Sequence, residues 1–361
     1  MRQGLYFLML CLVCACAQNT QATEESVLLK PQIDLVRQKA TRFPDNTQVS
    51  VAIIKNGSVS FFGLHNKNNT VLSERNHQRV FEIGSISKVF TAALLAQCAL
   101  DSKLQLDDPI AQYIDMHLKD NQQISFVQLA NHTSGLPRLP TNFDPRENPS
   151  NPYKNYGEKE LGNYLMSGIS LSESSNDTYA YSNLGPGLLG YLICNIEGQT
   201  YEELLQHEVS SRYEMNHTST DRSTVQEHLV KGLDEQGHMV PNWDLGILVG
   251  AGGILSSAED LSKFALAHFD KANRQLALTR VSTHTINHIS DVGLGWEIIK
   301  RRSGDIWYKH NGRNGGYTSA MIMDVNLKNG VIILSNLSGY SSQNSVVDDL
   351  SFDLMKSIQK P

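Results

Sequence analysis

The sequence predicts an α/β (α+β) protein: an antiparallel β-sheet flanked by helices, plus a mostly helical second lobe. Three observations point there. Hairpin patterns stand near both ends of the chain. The stretch between them reads as apolar helices joined by long polar loops. At 361 residues the chain suffices for one large domain or two interleaved ones. Segments 23–84 and 246–361 are assigned to the sheet lobe and 85–245 to the helical lobe. A crevice between lobes is a favoured place for a ligand.

Residues 1–16 read as a signal peptide. Met1-Arg2 is positive, and the apolar run Leu5–Val13 is too short to span a bilayer. Val13-Cys14-Ala15-Cys16 resembles a lipobox that would leave a lipid on Cys16, while Ala15-Cys16-Ala17 fits a simple A-x-A cleavage site. The expectation is export to the periplasm, with an outer-membrane lipid anchor at Cys16 as one of the two readings. Cys98 and Cys194 remain in the mature chain. A disulfide suits an oxidising compartment, but apolar helical surroundings suit free buried thiols.

A helix is expected over about 27–41, with Leu28, Ile33, Val36 and Ala40 on one side. Val49, Val51 and Ile53 then alternate, Asn56-Gly57 makes a tight turn, and Val59-Ser60-Phe61 returns. Helices are expected at Val89–Leu100, Leu184–Ile196, Tyr201–Ser210 and Ala258–Phe269, the last opened by a capping box, Ser256-Ser257-Ala258-Glu259. Pro137–Tyr156, rich in Pro and Asn, reads as a surface loop. Trp307–His310 is a strand entering a glycine-rich turn. Ser319–Val325 and Val331–Ser335 flank Asn329-Gly330 as a second hairpin, and a helix closes the chain over about 344–358. Net charge is −6, without the clustered basic face that nucleic-acid binding needs.

Three segments carry chemistry. In Ser85-Ile86-Ser87-Lys88 the serine and lysine share a helix face at i, i+3. A serine hydroxyl needs a nearby base, and a lysine desolvated at a buried helix start can have a lowered pKa and take that proton. The helix N-terminus adds N–H groups suited to an oxyanion. Tyr181-Ser182-Asn183 precedes another apolar helix. A tyrosine near a cation can ionise below its usual value of about 10 and relay protons. Asn183 can hold Lys88 or a substrate amide, having both donor and acceptor. His310-Asn311-Gly312-Arg313 ends a strand whose glycine permits close backbone approach and whose edge can pair with a peptide-like substrate.

Taken in order, these segments resemble the S-x-x-K, Y-x-N and K-[ST]-G or H-x-G signature of the class C β-lactamase and D-alanyl-D-alanine carboxypeptidase family. Leu104–Pro109, Leu129–Leu136, Gly252–Ser257 and Gly293–Trp296 extend the resemblance across nearly the whole mature chain. It implies a β-lactamase/transpeptidase-like fold and an acyl-enzyme on Ser85. Lys88 and Tyr181 would share base and acid duty, and Asn183 would position the substrate amide. The N–H groups of Ser85 and Arg313 would form the oxyanion hole. His310 would stand where true β-lactamases have Lys, flanked by Asn311 and Gly312 in substrate binding. No metal or organic cofactor is implied.

A histidine near its ordinary pKa of about 6.5 is only partly charged at neutral pH. This form resembles carboxypeptidases and related esterases, so of the two expected substrate classes, D-Ala-D-Ala peptides and β-lactams, the reading leans to the peptides and keeps the β-lactams as the second. Arg313 stands where the family usually has a small residue, and its side chain either faces solvent or binds a substrate carboxylate bidentately, the second being preferred. The expected partner is a small-molecule or peptidoglycan-peptide substrate, bound by a monomer. An esterase, or a penicillin sensor or structural lipoprotein, is the alternative reading. His284 and His288, spaced i, i+4 without a third ligand motif, are assigned to a surface helix rather than to a metal. His132 is assigned a structural hydrogen bond.

Overall fold

A computed structural model describes residues 30–115, 118–171 and 178–359. The expected leader and the lipidation at Cys16 lie outside the described residues.

Nine strands form one antiparallel sheet in the order β3-β2-β1-β11-β10-β9-β8-β7-β6. The hairpin β1 (Gln48–Lys55) and β2 (Ser58–Lys67) forms around Asn56-Gly57 as the sequence predicts, with β3 (Thr70–Ser73) outside it. The two chain ends meet where β1 pairs with β11 (Asn329–Ser335), Val51 opposite Ile333. β10 (Thr318–Asp324) and β9 (Ile306–Arg313) follow, then β8 (Glu297–Lys300), β7 (Ser290–Val292) and β6 (His284–Asn287).

Both faces of the central strands are covered, so alternate residues enter two different cores. Val51, Ile53, Ile322, Val331 and Ile333 pack against Val36 of helix α1 (Lys30–Ala40) and against Val347, Leu350 and Leu354 of the C-terminal helix (Ser345–Gln359). Ala52, Ile54, Met321, Met323 and Ile332 face the larger core, which they share with the helical part of the chain. Fully burying one such aliphatic side chain is worth about 1.5–3 kcal/mol.

The main helices of that part are α2 (Ser87–Leu100), α3 (Leu184–Glu197), α4 (Tyr201–Leu205, continued by a π-helical turn to Ser210) and α5 (Ala258–Phe269). A two-stranded ribbon, β4 (Val80–Glu82) with β5 (Leu255–Ser257), delivers the chain to Ser85.

Several expectations are corrected. His284 lies in β6 and His288 in the turn after it, not on a helix, and the described residues contain no cluster able to hold a metal. Asn329-Gly330 opens β11 instead of forming the turn. Asp324 pairs with Asn329, and the reversal falls on 325–328, closed by the Leu327 N–H to Asp324 Oδ1 bond at 3.0 Å. Helix α5 is capped by Ser257, whose hydroxyl accepts from Asp260 N, one residue later than expected. The segment 137–156 buries Tyr153 and Tyr156 beneath Phe143 rather than lying on the surface throughout. Of the two readings open for Cys98 and Cys194, the free thiols are found, and Cys98 Sγ donates to Glu197 Oε1.

Candidate active site

Ser85 sits in a 3-10 turn, Gly84–Ile86, immediately before α2, and is half-buried. Three contacts fix this turn. Ile83 N bonds Ile254 O at 3.0 Å, Ser319 Oγ donates to Ile83 O at 2.8 Å, and Ile254 N donates to Ser87 Oγ at 3.1 Å. Gly84 has φ +52°, and a Cβ there would stand 2.9 Å from Arg313 N, so a side chain is unfavourable on both counts.

Lys88 occupies the first turn of α2, 1 % exposed. Its Nζ lies 2.9 Å from Ser85 Oγ, 3.0 Å from Asn183 Oδ1 and 2.6 Å from the Ala251 carbonyl. Asn183 Oδ1 and the carbonyl only accept. A neutral amine can donate to both and still turn its lone pair toward the serine hydroxyl. Burial pushes Lys88 below the ordinary lysine range, opposed by Tyr181 beside it and assisted by Arg138.

Tyr181 and Asn183 are held by the Asn131–Leu136 turn. Ala180 N bonds His132 O at 2.8 Å, Ser182 N donates to His132 Nδ1 at 3.3 Å, and Ser182 Oγ donates to Pro137 O. His132 packs on Tyr181 with ring centroids 4.5 Å apart, so its role is structural as expected. Burial, with Lys88, keeps His132 well below its ordinary pKa. Lys88 Nζ is 5.1 Å from the Tyr181 ring centroid, and the Arg138 guanidinium is 5.4 Å from it.

The third segment approaches from β9. Asn314 N bonds Tyr317 O at 3.1 Å. By antiparallel alternation the preceding residue, Arg313, then turns its N–H away from β10. That edge is open, because β8 pairs only with residues 306–309. The same alternation puts His310 and Gly312 on one face and Asn311 and Arg313 on the other. Arg313 is exposed, with its Cβ beside Gly339, so it is its N–H, not its side chain, that faces the serine turn.

Gly312 is where β9 touches that turn, and a Cβ there would stand 2.0 Å from Ile83 O. Gly312→Ala should push the two segments apart, at a cost of about 1–3 kcal/mol. Acylation is expected to fall more than tenfold with far-UV circular dichroism retained. Wild-type acylation by this variant would show that the close approach is dispensable.

His310 departs from the sequence expectation. It is 8 % exposed, and burial together with Lys88 lowers its pKa to about 3. It is therefore uncharged at neutral pH rather than partly charged. The Asn311 carbonyl, 2.7 Å from Nδ1, can only accept, so Nδ1 carries the proton.

Sequence reasoning missed four participants. The Ala251 carbonyl lies just before the family-like Gly252–Ser257 segment, and backbone roles leave no residue-type signal. Arg138 directly follows the Asn131–Pro137 stretch. Tyr153, whose hydroxyl meets the Asn183 side chain, is one of three aromatics in the segment 137–156, where Pro and Asn content alone reads as a surface loop. Glu82 is buried three residues before Ser85 and its pKa is pushed up to about 7 by burial.

The chain is similar to several known proteins. A family profile described as Beta-lactamase matches residues 36–352. A Pseudomonas fluorescens protein named Beta-lactamase is 31% identical over 261 residues, 70% of each chain. Protein flp of Staphylococcus aureus (strain N315) is 24% identical over 340 residues; the match takes in 88% of this chain and 65% of that protein. A Beta-Lactamase/D-Alanine Carboxypeptidase from Pseudomonas syringae shares the fold at TM-score 0.76 and 20% identity, covering 94% of this chain and all of that one.

Proposed function

The chain belongs to the β-lactamase family and is a serine hydrolase; on that premise we propose that it forms an acyl-enzyme on Ser85, with peptides ending in D-Ala-D-Ala as preferred substrates and β-lactams as slow ones. The observation that carries the catalytic part is the set of partners around Lys88 Nζ: two obligate acceptors and the Ser85 hydroxyl. In the reaction Lys88 takes the Oγ proton as Oγ bonds to the substrate carbonyl carbon. The resulting oxyanion accepts from the N–H groups of Ser85 and Arg313. Tyr181 passes a proton to the leaving amine as the C–N bond breaks, and water then releases the acyl group by the reverse relay. Asn183 Oδ1 holds Lys88, and its NH₂, one N–H of which meets the Tyr153 hydroxyl, has a second N–H to offer a substrate amide.

The peptidase preference rests on His310. An uncharged imidazole supplies no fixed cation at the third motif, where true β-lactamases carry Lys. The turn after Arg313 adjoins a groove of about 330 Å³ lined by Pro149, Trp243, Gly315 and Tyr340, room for part of a peptide. Turnover of an N-acylated D-Ala-D-Ala peptide should exceed that of a chromogenic cephalosporin and a short-chain ester, and penicillin should leave a persistent adduct. Rapid β-lactam hydrolysis without D-Ala release would make the protein a lactamase. Ester turnover without any adduct would make it an esterase.

Arg138 is assigned the substrate carboxylate in place of Arg313. It is exposed beside the Tyr181 ring, while the Arg313 side chain leaves the far face of β9. Arg138→Ala should lower kcat/KM about tenfold, roughly 1.4 kcal/mol, for a carboxylate-terminated peptide and little for its carboxamide. Arg313→Ala should leave the ratio of the two unchanged. The opposite pattern would return carboxylate recognition to Arg313.

A further inference from the structure

We propose that Glu82 is a positioning residue of the oxyanion hole, its buried carboxylate tying the segment that carries Ser85 to the turn that carries Arg313. The inference rests on the acyl-enzyme reading above and adds a residue to it. Glu82 ends β4, three residues before the nucleophile, and is 6 % exposed. Oε1 accepts from Asn242 Nδ2 at 2.6 Å and from Trp243 N at 3.1 Å, and Oε2 accepts from Asn314 Nδ2. Asn314 is the residue after Arg313 and is itself 6 % exposed. Its Oδ1 accepts from Gly316 N at 3.1 Å and Tyr317 N at 2.9 Å, and its carbonyl accepts from Gly339 N at 2.9 Å.

One amide side chain therefore shapes the whole β9–β10 turn. Because its oxygen is occupied by two backbone N–H groups, its NH₂ must point at Glu82. The three groups bonded to the carboxylate are all N–H donors, so it serves as acceptor only. The Tyr317 hydroxyl is engaged elsewhere, donating to Val230 O at 2.6 Å and accepting from Asn242 Nδ2 at 2.9 Å. An isolated buried carboxylate is costly, and Arg222, whose charge acts on it, makes its own ion pair with Asp244 at 2.5 Å. What this carboxylate supplies is geometry: it fixes where the Arg313 N–H stands relative to the Ser85 N–H.

The test exchanges donor and acceptor across the Glu82–Asn314 bond. Glu82→Gln sets NH₂ against NH₂, and Asn314→Asp sets oxygen against oxygen. Each single variant should slow acylation of Ser85 by penicillin about tenfold to a hundredfold, less than the ~10²–10³ that outright loss of an oxyanion donor costs. Affinity for an arylboronic acid, whose serine adduct is tetrahedral, should fall in parallel, while KM for the peptide stays within about twofold. The double variant E82Q/N314D restores a donor opposite an acceptor and should regain acylation to within about tenfold of wild type.

Single variants that acylate and bind boronate like wild type would overturn the proposal. So would a double variant that folds, by near-UV circular dichroism, yet is no better than the singles. If either single variant fails to fold, recovery in the double variant alone carries the decision. Failure of the wild-type protein itself to acylate on Ser85 would instead overturn the acyl-enzyme reading.

Discussion

Lys88→Arg should reduce kcat about 10³- to 10⁴-fold while the protein remains folded. The guanidinium keeps the positive charge and the length to reach Asn183 and Ala251 O, but it cannot lose its proton. If Lys88 only neutralised charge near the nucleophile, Arg would serve nearly as well. The proposed base must offer a lone pair, and the two obligate acceptors leave room for one only toward Ser85. General-base catalysis of this kind contributes about 10²- to 10⁴-fold.

The pH dependence follows with its sign. Burial and Arg138 favour the neutral amine, Tyr181 opposes them, and His132 and His310 beside it are uncharged. Acylation by the wild type should therefore rise with pH as Lys88 loses its proton. Glu82, near 7, titrates in the same direction. A wild-type rate that falls across this range, or a Lys88→Arg enzyme within tenfold of wild type, would remove the lysine from the base role.

Ser85→Ala should cost still more, about 10⁶-fold in hydrolysis of the D-Ala-D-Ala peptide, with peptide affinity nearly kept. The 3-10 turn around Ser85 is held by Ile83, Ser87 and Ser319 and does not use the Ser85 hydroxyl, so stability should change by less than about 1 kcal/mol. Equilibrium dialysis of the peptide against the variant, alongside the rate assay, separates lost chemistry from lost binding. Residual hydrolysis above 1% of wild type would point to another nucleophile.

How much of this was legible depended on how local each signal was. The Asn56-Gly57 hairpin and helix α5, found over the predicted Ala258–Phe269, are specified by a turn type and by a periodicity contained within the element. Ser85 and Lys88 are a contact along one stretch of chain, so spacing alone brings them together. Tyr181 and Asn183 needed the ordered set of motifs, because nothing local says that α3 begins beside Lys88 of α2.

Other features are decided by tertiary context. His284 lies in a short strand whose alternation is no stronger than helical spacing, and pairing with β7 settles the matter. Asn329-Gly330 has a turn composition, but the Asp324 side chain closes the reversal earlier. The charge of His310 depends on burial beneath distant segments. The partners of Glu82 come from positions 242, 243 and 314, and no pattern around residue 82 announces them.

Every proposed step requires that Ser85 becomes acylated. Intact-mass spectrometry of the protein during incubation with penicillin, followed by peptide mapping, tests this most directly. The expected result is a gain of one penicillin mass per chain, persisting over minutes and mapping to the peptide that contains Ser85, and absent in Ser85→Ala. A stable adduct mapping to any other residue, or hydrolysis that proceeds undiminished in Ser85→Ala, would contradict it.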